Sequence, residues 1–236
     1  MKKLLIIGLV FFAGFQSFAQ DESRQVGRPN IPGTLQVEYG HSFSPLDSVP
    51  FKVLGNRTGN FYYMLDKKLG ASKFSFHIGA GAGLDRVKFT TDDQKRHLTL
   101  VSKTDSSVYS PLRDRDKTFT KSMFITNYLD IPLEFRFNTS PMDRSRNFFV
   151  AIGGRAGYMI RAQTKVKYTV NNETNRTKEQ KSFNLTPVRF STYLRVGIGA
   201  FNFYTNYALS PLFKKGEGPS SKPIQMMTVG MSFELF

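Results

Sequence analysis

From Phe148 to Val170 the sequence alternates with period two. Even positions carry Phe148, Val150, Ile152, Ala156, Tyr158, Ile160 and Ala162, while Gly153, Arg155, Gly157, Arg161, Gln163 and Lys165 fall on odd ones. A helix would place the arginines among the apolar residues, so the pattern specifies a strand. Soluble strands run about 5–6 residues, whereas a strand that crosses a bilayer needs about 9–11. The chain is 14% aromatic, yet its mean hydropathy is −0.31. Long strands with one apolar and one polar face produce that combination in a membrane β-barrel. A secreted β-sandwich also alternates, but over shorter strands.

The same pattern recurs. Phe119–Phe137 sets Met123, Ile125, Leu129, Ile131, Leu133 and Phe135 against Ser122, Thr126, Tyr128, Asp130, Glu134 and Arg136. Pro132 removes a ladder donor mid-strand, which predicts a bulge there. Further strands are expected at 35–40, 61–68, 73–89, 189–200, 201–210 and 224–236, making eight. Connections alternate between short (69–73, 139–146, 200–201) and long and polar (45–58, 90–118, 171–182, 211–223). The expected fold is therefore an all-β, eight-stranded antiparallel transmembrane β-barrel with short periplasmic turns and longer extracellular loops. Within loop 90–118, His97–Ser102 is expected to form a short hairpin, in a loop read as solvated with binding as the rival.

Residues 1–19 read as a signal peptide, with Lys2 and Lys3, an apolar run from Leu4 to Phe15 and small residues at Ser17 and Ala19. Cleavage there takes two lysines and no acid from a chain of formal net charge +15, leaving +13. Residues 20–32 read as an extended lead-in with Pro29 and Pro32, and 33–236 as the barrel. Export argues against a cytosolic enzyme. The lack of cysteine excludes a disulfide scaffold and thiolate chemistry. No long uncharged apolar run follows residue 19, which excludes a helical membrane protein.

The segment Asn127-Tyr128-Leu129-Asp130-Ile131-Pro132-Leu133-Glu134, the glycine-rich strand from Phe148, Tyr207-Ala208-Leu209-Ser210 and Leu212–Pro219 together resemble the outer-membrane β-barrel proteins of Bacteroidota, the PorT-like group. The resemblance covers most of the chain after residue 19. It implies an outer-membrane barrel with a structural or accessory role, as some members serve a protein-secretion system. Partners so implied are the barrel-assembly machinery and a secretion-system component. One departure concerns the end of the chain. Outer-membrane barrels commonly finish on a lipid-facing aromatic, but Phe236 shares parity with Ser232 and Glu234 rather than with Phe233 and Leu235.

Strand parity puts Glu38, Asp66, Asp85, Asp130, Glu134 and Glu234 on the polar face, with Arg136, Arg155, Arg161, Arg189 and Arg195. An eight-stranded interior is just wide enough for side chains, so these charges are expected to pair into a plug that excludes water. Asp130 and Glu134, on the neighbouring strand, are the expected partners of Arg155. The rival reading is a gated polar path or small-solute site. Inward Gly79, Gly81 and Gly83 are expected to make room for large side chains opposite; they lack the strand-turn-helix context of a phosphate loop.

Catalysis needs a nucleophile, a base and an orienting group. His41 and Ser42 are adjacent and so face opposite ways. His77 is expected in the ion-pair core, and with His97 it completes a scattered set without metal-ligand spacing. The expectation is no enzyme, no cofactor, no metal and no nucleic-acid partner, in a monomer. An outer-membrane lipid-modifying enzyme is the second alternative. Outer-membrane lipids and lipopolysaccharide are the expected anions for Lys165, Lys167, Arg176, Lys178, Lys181, Lys214 and Lys215, which fall near outer strand ends or in outer loops.

Overall fold

The computed structural model describes residues 33–45, 50–52, 55–70, 72–92, 94–140 and 146–235. Residues 1–19, read above as a signal peptide, residues 20–32, read as a lead-in, and Phe236 lie outside the described residues. Eleven strands follow one another: β1 (Thr34–Phe43), β2 (Arg57–Lys68), β3 (Phe74–Lys88), β4 (Leu98–Ser102), β5 (Ser107–Pro111), β6 (Thr118–Asn138), β7 (Phe148–Val170), β8 (Glu173–Gln180), β9 (Val188–Ile198), β10 (Phe201–Ala208) and β11 (Met227–Leu235). Eight of them close a ring in the order β1-β2-β3-β6-β7-β9-β10-β11, every neighbour antiparallel, with β11 returning to β1. Closure leaves no open sheet edge within the ring, the condition a strand must meet to cross lipid.

The outward face is apolar around the ring. Leu129, Ile152, Tyr158, Phe203, Met231 and Phe233 all stand exposed. Their parity partners are buried inside: Ile152 projects outward at 59% exposure while Arg155 and Arg195 lie inside at 5% and below. An exposed apolar band of this extent requires lipid rather than water against it.

Four features depart from the sequence pattern. First, the bulge falls away from Pro132. Pro132 faces Arg155 of β7 in register, and toward β3 the same register holds on both sides of it, from Ile78–Leu133 to Gly81–Asp130. The missing amide interrupts the ladder without adding a residue. One register shift lies instead where Asn127 opposes Arg161 and Tyr128 opposes Met159, so Ile160 is the extra residue, and another lies at Thr120 of β6, between Phe119 and Lys121. The Ile160 bulge inverts the parity of everything beyond it on β7. Ala162 and Thr164 turn inward and are buried, and Arg161, expected inside, projects outward and is exposed.

Second, residues 173–180, expected within a loop, form β8, which pairs with β7 from Gln163 to Val170. The ends of β6 and β7 pair there as well, so β6, β7 and β8 rise past the ring as a ribbon. Third, the hairpin expected within His97–Ser102 is larger: Leu98–Ser102 forms only its first strand, β4, and Ser107–Pro111 supplies the second, β5.

Fourth, the loop end of the barrel is closed by apolar residues. Phe51, Phe89, Leu100, Phe183, Leu185, Phe213 and Ile224, from loops and the β4 hairpin, bury against Val87, Phe124 and Ala162 of the strands. Phe124 and Phe183 meet edge to face at 5.6 Å. Phe183 holds a φ of 49°, rare for an aromatic residue; Ser107 Oγ donates to its carbonyl at 2.7 Å, and its ring is wholly buried.

Candidate functional site: the lumen

Beneath the apolar cap the lumen is polar, and its charges are stacked in three levels. Nearest the cap, Arg189 of β9 donates to Asp85 and to Asp130, each at 2.6 Å, and lies 3.7 Å over the Tyr128 ring. Tyr62 also donates to Asp130, at 2.9 Å. In the middle, Glu38 of β1 takes Arg195 at 2.6 Å and Arg155 at 3.0 Å, with further donations from Gln36 and Asn60, both at 2.7 Å. Toward the turns, Arg136 bridges Glu134 at 2.6 Å and Glu234 at 2.7 Å, its guanidinium 4.0 Å over Phe149. Arg195 links the lower two levels, lying 3.6 Å from Glu134 and 3.8 Å from Glu234.

Glycines make this density possible. A Cβ on Gly83 would come within 2.5 Å of Arg189 and Asp130. Gly157 would meet the same pair, and Gly153 the Tyr193 ring. Large side chains thus occupy the volume that inward glycines leave.

Nine of the eleven charged residues expected inside belong to this network. Asp66 is half-buried at the turn end of β2, opposite His77, and Arg161 is outside. The partner expected for Arg155 is also corrected. Asp130 and Glu134 lie opposite Gly157 and Gly153 on β7, but Arg155 opposes Pro132 and extends across the lumen to Glu38. The guanidinium's reach, rather than strand adjacency, sets the pairing.

Between the cap and the middle level lies a cavity of about 70 Å3, lined in part by Thr58, Asn60, Arg155, Tyr204 and Asn206. Asn60 Oδ1, Arg155 Nε, Tyr204 Oη and Asn206 Oδ1 are buried there without a protein partner. Apolar side chains such as Val87, Phe124 and Leu212 line the rest of it, and the unpartnered polar atoms give waters in a cavity of this size their partners. Sequence reasoning missed it, as it missed the cap, because both arise from loops and strands distant in the chain.

The histidines are separate. His41 is half-buried, while the neighbouring Ser42 points into the lumen and shares hydrogen bonds with Thr58 and Thr228. His77 Nε2 and Ser75 Oγ share a hydrogen bond of 2.9 Å, two residues apart on one inward face. Sequence parity could have found that pair. Asn138 Nδ2 also donates to Ser75 Oγ at 2.9 Å, tying the serine into the polar packing at the turn end. His97 lies in the long loop, partly buried near Lys52; burial first, and that cation second, hold its ring below the ordinary imidazole range.

A family model described as the outer membrane protein beta-barrel domain matches residues 11–214. No curated protein matches the chain. Among solved structures, Ail, the attachment invasion locus protein of Yersinia pestis, is similar at 9% identity with a TM-score of 0.35, over 86% of this chain and 97% of that one. The same protein in complex with the heparin analogue sucrose octasulfate aligns at 9% identity with a TM-score of 0.30, over 87% of this chain and all of that one.

Proposed function

Because the chain belongs to the outer membrane protein β-barrel domain family and resides in the outer membrane, we propose that it is a sealed, non-catalytic barrel whose role is structural or accessory. The observation that carries this reading is the crossed ion-pair stack, Arg189–Asp130, Arg155–Glu38–Arg195 and Arg136–Glu134, under an apolar cap. A pore lined by charges of one sign attracts counter-ions; here each of the four guanidiniums is locked onto carboxylates of the stack, so the charges bind one another rather than a permeating ion. The resemblance of the Asn127–Glu134 strand to PorT-like proteins of Bacteroidota supports an accessory place beside other envelope components, the secretion and assembly machinery included. The cavity, with its unpartnered Asn60, Arg155, Tyr204 and Asn206 atoms, favours a second reading, a small-solute transport barrel.

Two-sided labelling separates the readings. The natural chain has no cysteine, so Asp66→Cys, at the half-buried position on the turn end of β2, supplies a unique thiol. In oriented vesicles, a membrane-impermeant maleimide added on the turn side should label it, and the same reagent added on the loop side should not. Labelling from both sides would establish a through-path and favour transport. Phospholipid or lipid A turnover by the purified barrel would instead identify the lipid-enzyme alternative.

A further inference from the structure

Cations gather on one outward surface, directly above the apolar belt. Register defines it. Arg57 of β2 lies opposite Arg86 of β3. One step farther from the belt, Lys88 and Lys165 flank Met123, and Lys165 faces Lys178 of β8. A step beyond, Lys121, Lys167 and Arg176 stand side by side on β6, β7 and β8. The Ile160 bulge adds Arg161 at the lower edge, opposite Asn127.

Neighbouring strands are about 4.8 Å apart, so these rows place like charges side by side, an arrangement that weakens strand pairing. Among the described residues no acid shares this face. Glu173 and Glu179 of β8 register with Val170 and Thr164 and point to the opposite face. Among the described residues none of the cations on this surface has an ion pair, whereas Lys181 and Lys214 in the neighbouring loops pair with Glu179 and Glu217. The surface is thus short of anions at the height where lipid headgroups begin.

We infer that this face of β2, β3, β6, β7 and β8 is a binding surface for the phosphorylated headgroups of outer-leaflet glycolipid. Three facts converge on that occupant. The patch is continuous with the lipid-facing belt beneath Leu84 and Leu129, both exposed. Its cations recur at the spacing of adjacent strands, so one phosphate meets two or three of them, and charge-assisted contacts to phosphate are the strong ones. The ribbon raises them above the ring, as a headgroup of several sugars requires. The inference uses the loops-outward orientation and is independent of whether the lumen is sealed.

The test uses the full barrel in phosphatidylcholine vesicles doped with diphosphorylated lipid A or with its dephosphorylated form. Lipid retained after extraction into polymer nanodiscs is quantified by mass spectrometry. Wild type should enrich the diphosphorylated form only. A Lys121→Gln/Lys165→Gln/Lys167→Gln variant should lose enrichment on the order of a hundredfold, since each cation near an anionic surface is worth about fivefold. A Lys214→Gln/Lys215→Gln/Lys222→Gln variant, with the same net charge, should retain it. Folding of each variant is checked by its heat-dependent gel shift. Equal loss in both variants would reduce the effect to net charge and overturn the proposal, as would equal retention of the two lipid A forms. Abolition of enrichment by millimolar inorganic phosphate would assign the site to free anion instead of lipid.

Discussion

Glu38 is the carboxylate on which two buried guanidiniums converge, so its removal gives an ordered set of outcomes. Glu38→Gln keeps the shape and deletes the charge. Arg195 then retains Glu134 at 3.6 Å and Glu234 at 3.8 Å. Arg155 loses its only ion pair among the described residues and keeps just the faces of Tyr62 and Tyr193, at 4.7 and 5.4 Å. Orphaning a buried charge costs about 3–5 kcal/mol; the aromatic faces offset no more than about 2 kcal/mol of it. Adding Arg155→Met removes the orphan, so the double variant should be milder than the sum of the singles by about 1–3 kcal/mol. Adding Arg195→Met leaves Arg155 stranded, and this second double variant should recover much less. The assay is urea unfolding in phospholipid vesicles, followed by tyrosine fluorescence and by the heat-dependent gel shift. Additivity in both cycles, or greater recovery with Arg195→Met, would refute the pairing described.

Three further outcomes follow from the geometry. Ile152→Arg places a cation on the lipid face and should cost about 2–4 kcal/mol, whereas Lys178→Glu, on β8 above the ring and facing Lys165, should not destabilise the barrel; equal losses would contradict the assignment of faces. Gly81→Ala should destabilise by about 1–3 kcal/mol because its Cβ would collide with the Phe61 carbonyl, and Gly59→Ala, with open space around it, should not; the same unfolding assay compares them. His97 is held below the ordinary imidazole value of 6.5 by burial and by Lys52, so the unfolded loop takes up a proton first and loop stability should fall as pH drops below that value; proteolysis of the long loop should accelerate on acidification in wild type and not in His97→Gln.

Much of this architecture is written in period two. The apolar face of Leu129, Ile131, Leu133 and Phe135 and the inward set of Asp130, Glu134 and Arg136 follow from alternation alone, because strand side chains point to opposite faces at every step. Counting fails where a residue is inserted. Ile160 looks like any other lipid-facing residue, yet as a bulge it sends Arg161 out and Ala162 in. Pro132 carries the usual sign of a bulge and has none, since losing one donor interrupts a ladder without displacing it. β8 is hidden because Glu173–Gln180 contains no apolar residue to alternate; it is held by the backbone ladder to β7. The cap is hidden for another reason. Phe51, Phe89, Phe183 and Phe213 are isolated in separate loops, and only ring closure brings them together. Within the network, charge content was legible and partners were not, because a guanidinium spans the lumen as readily as it reaches its neighbour strand.

The central claim is that ion pairs and the apolar cap close the lumen from end to end. Single-channel recording of the purified wild-type barrel in a planar bilayer tests it directly. The account predicts a silent barrel at moderate voltage, with leak appearing only when the stack is broken, as in Glu38→Gln. Steady ohmic conductance from wild type, unchanged by Glu38→Gln, would contradict it.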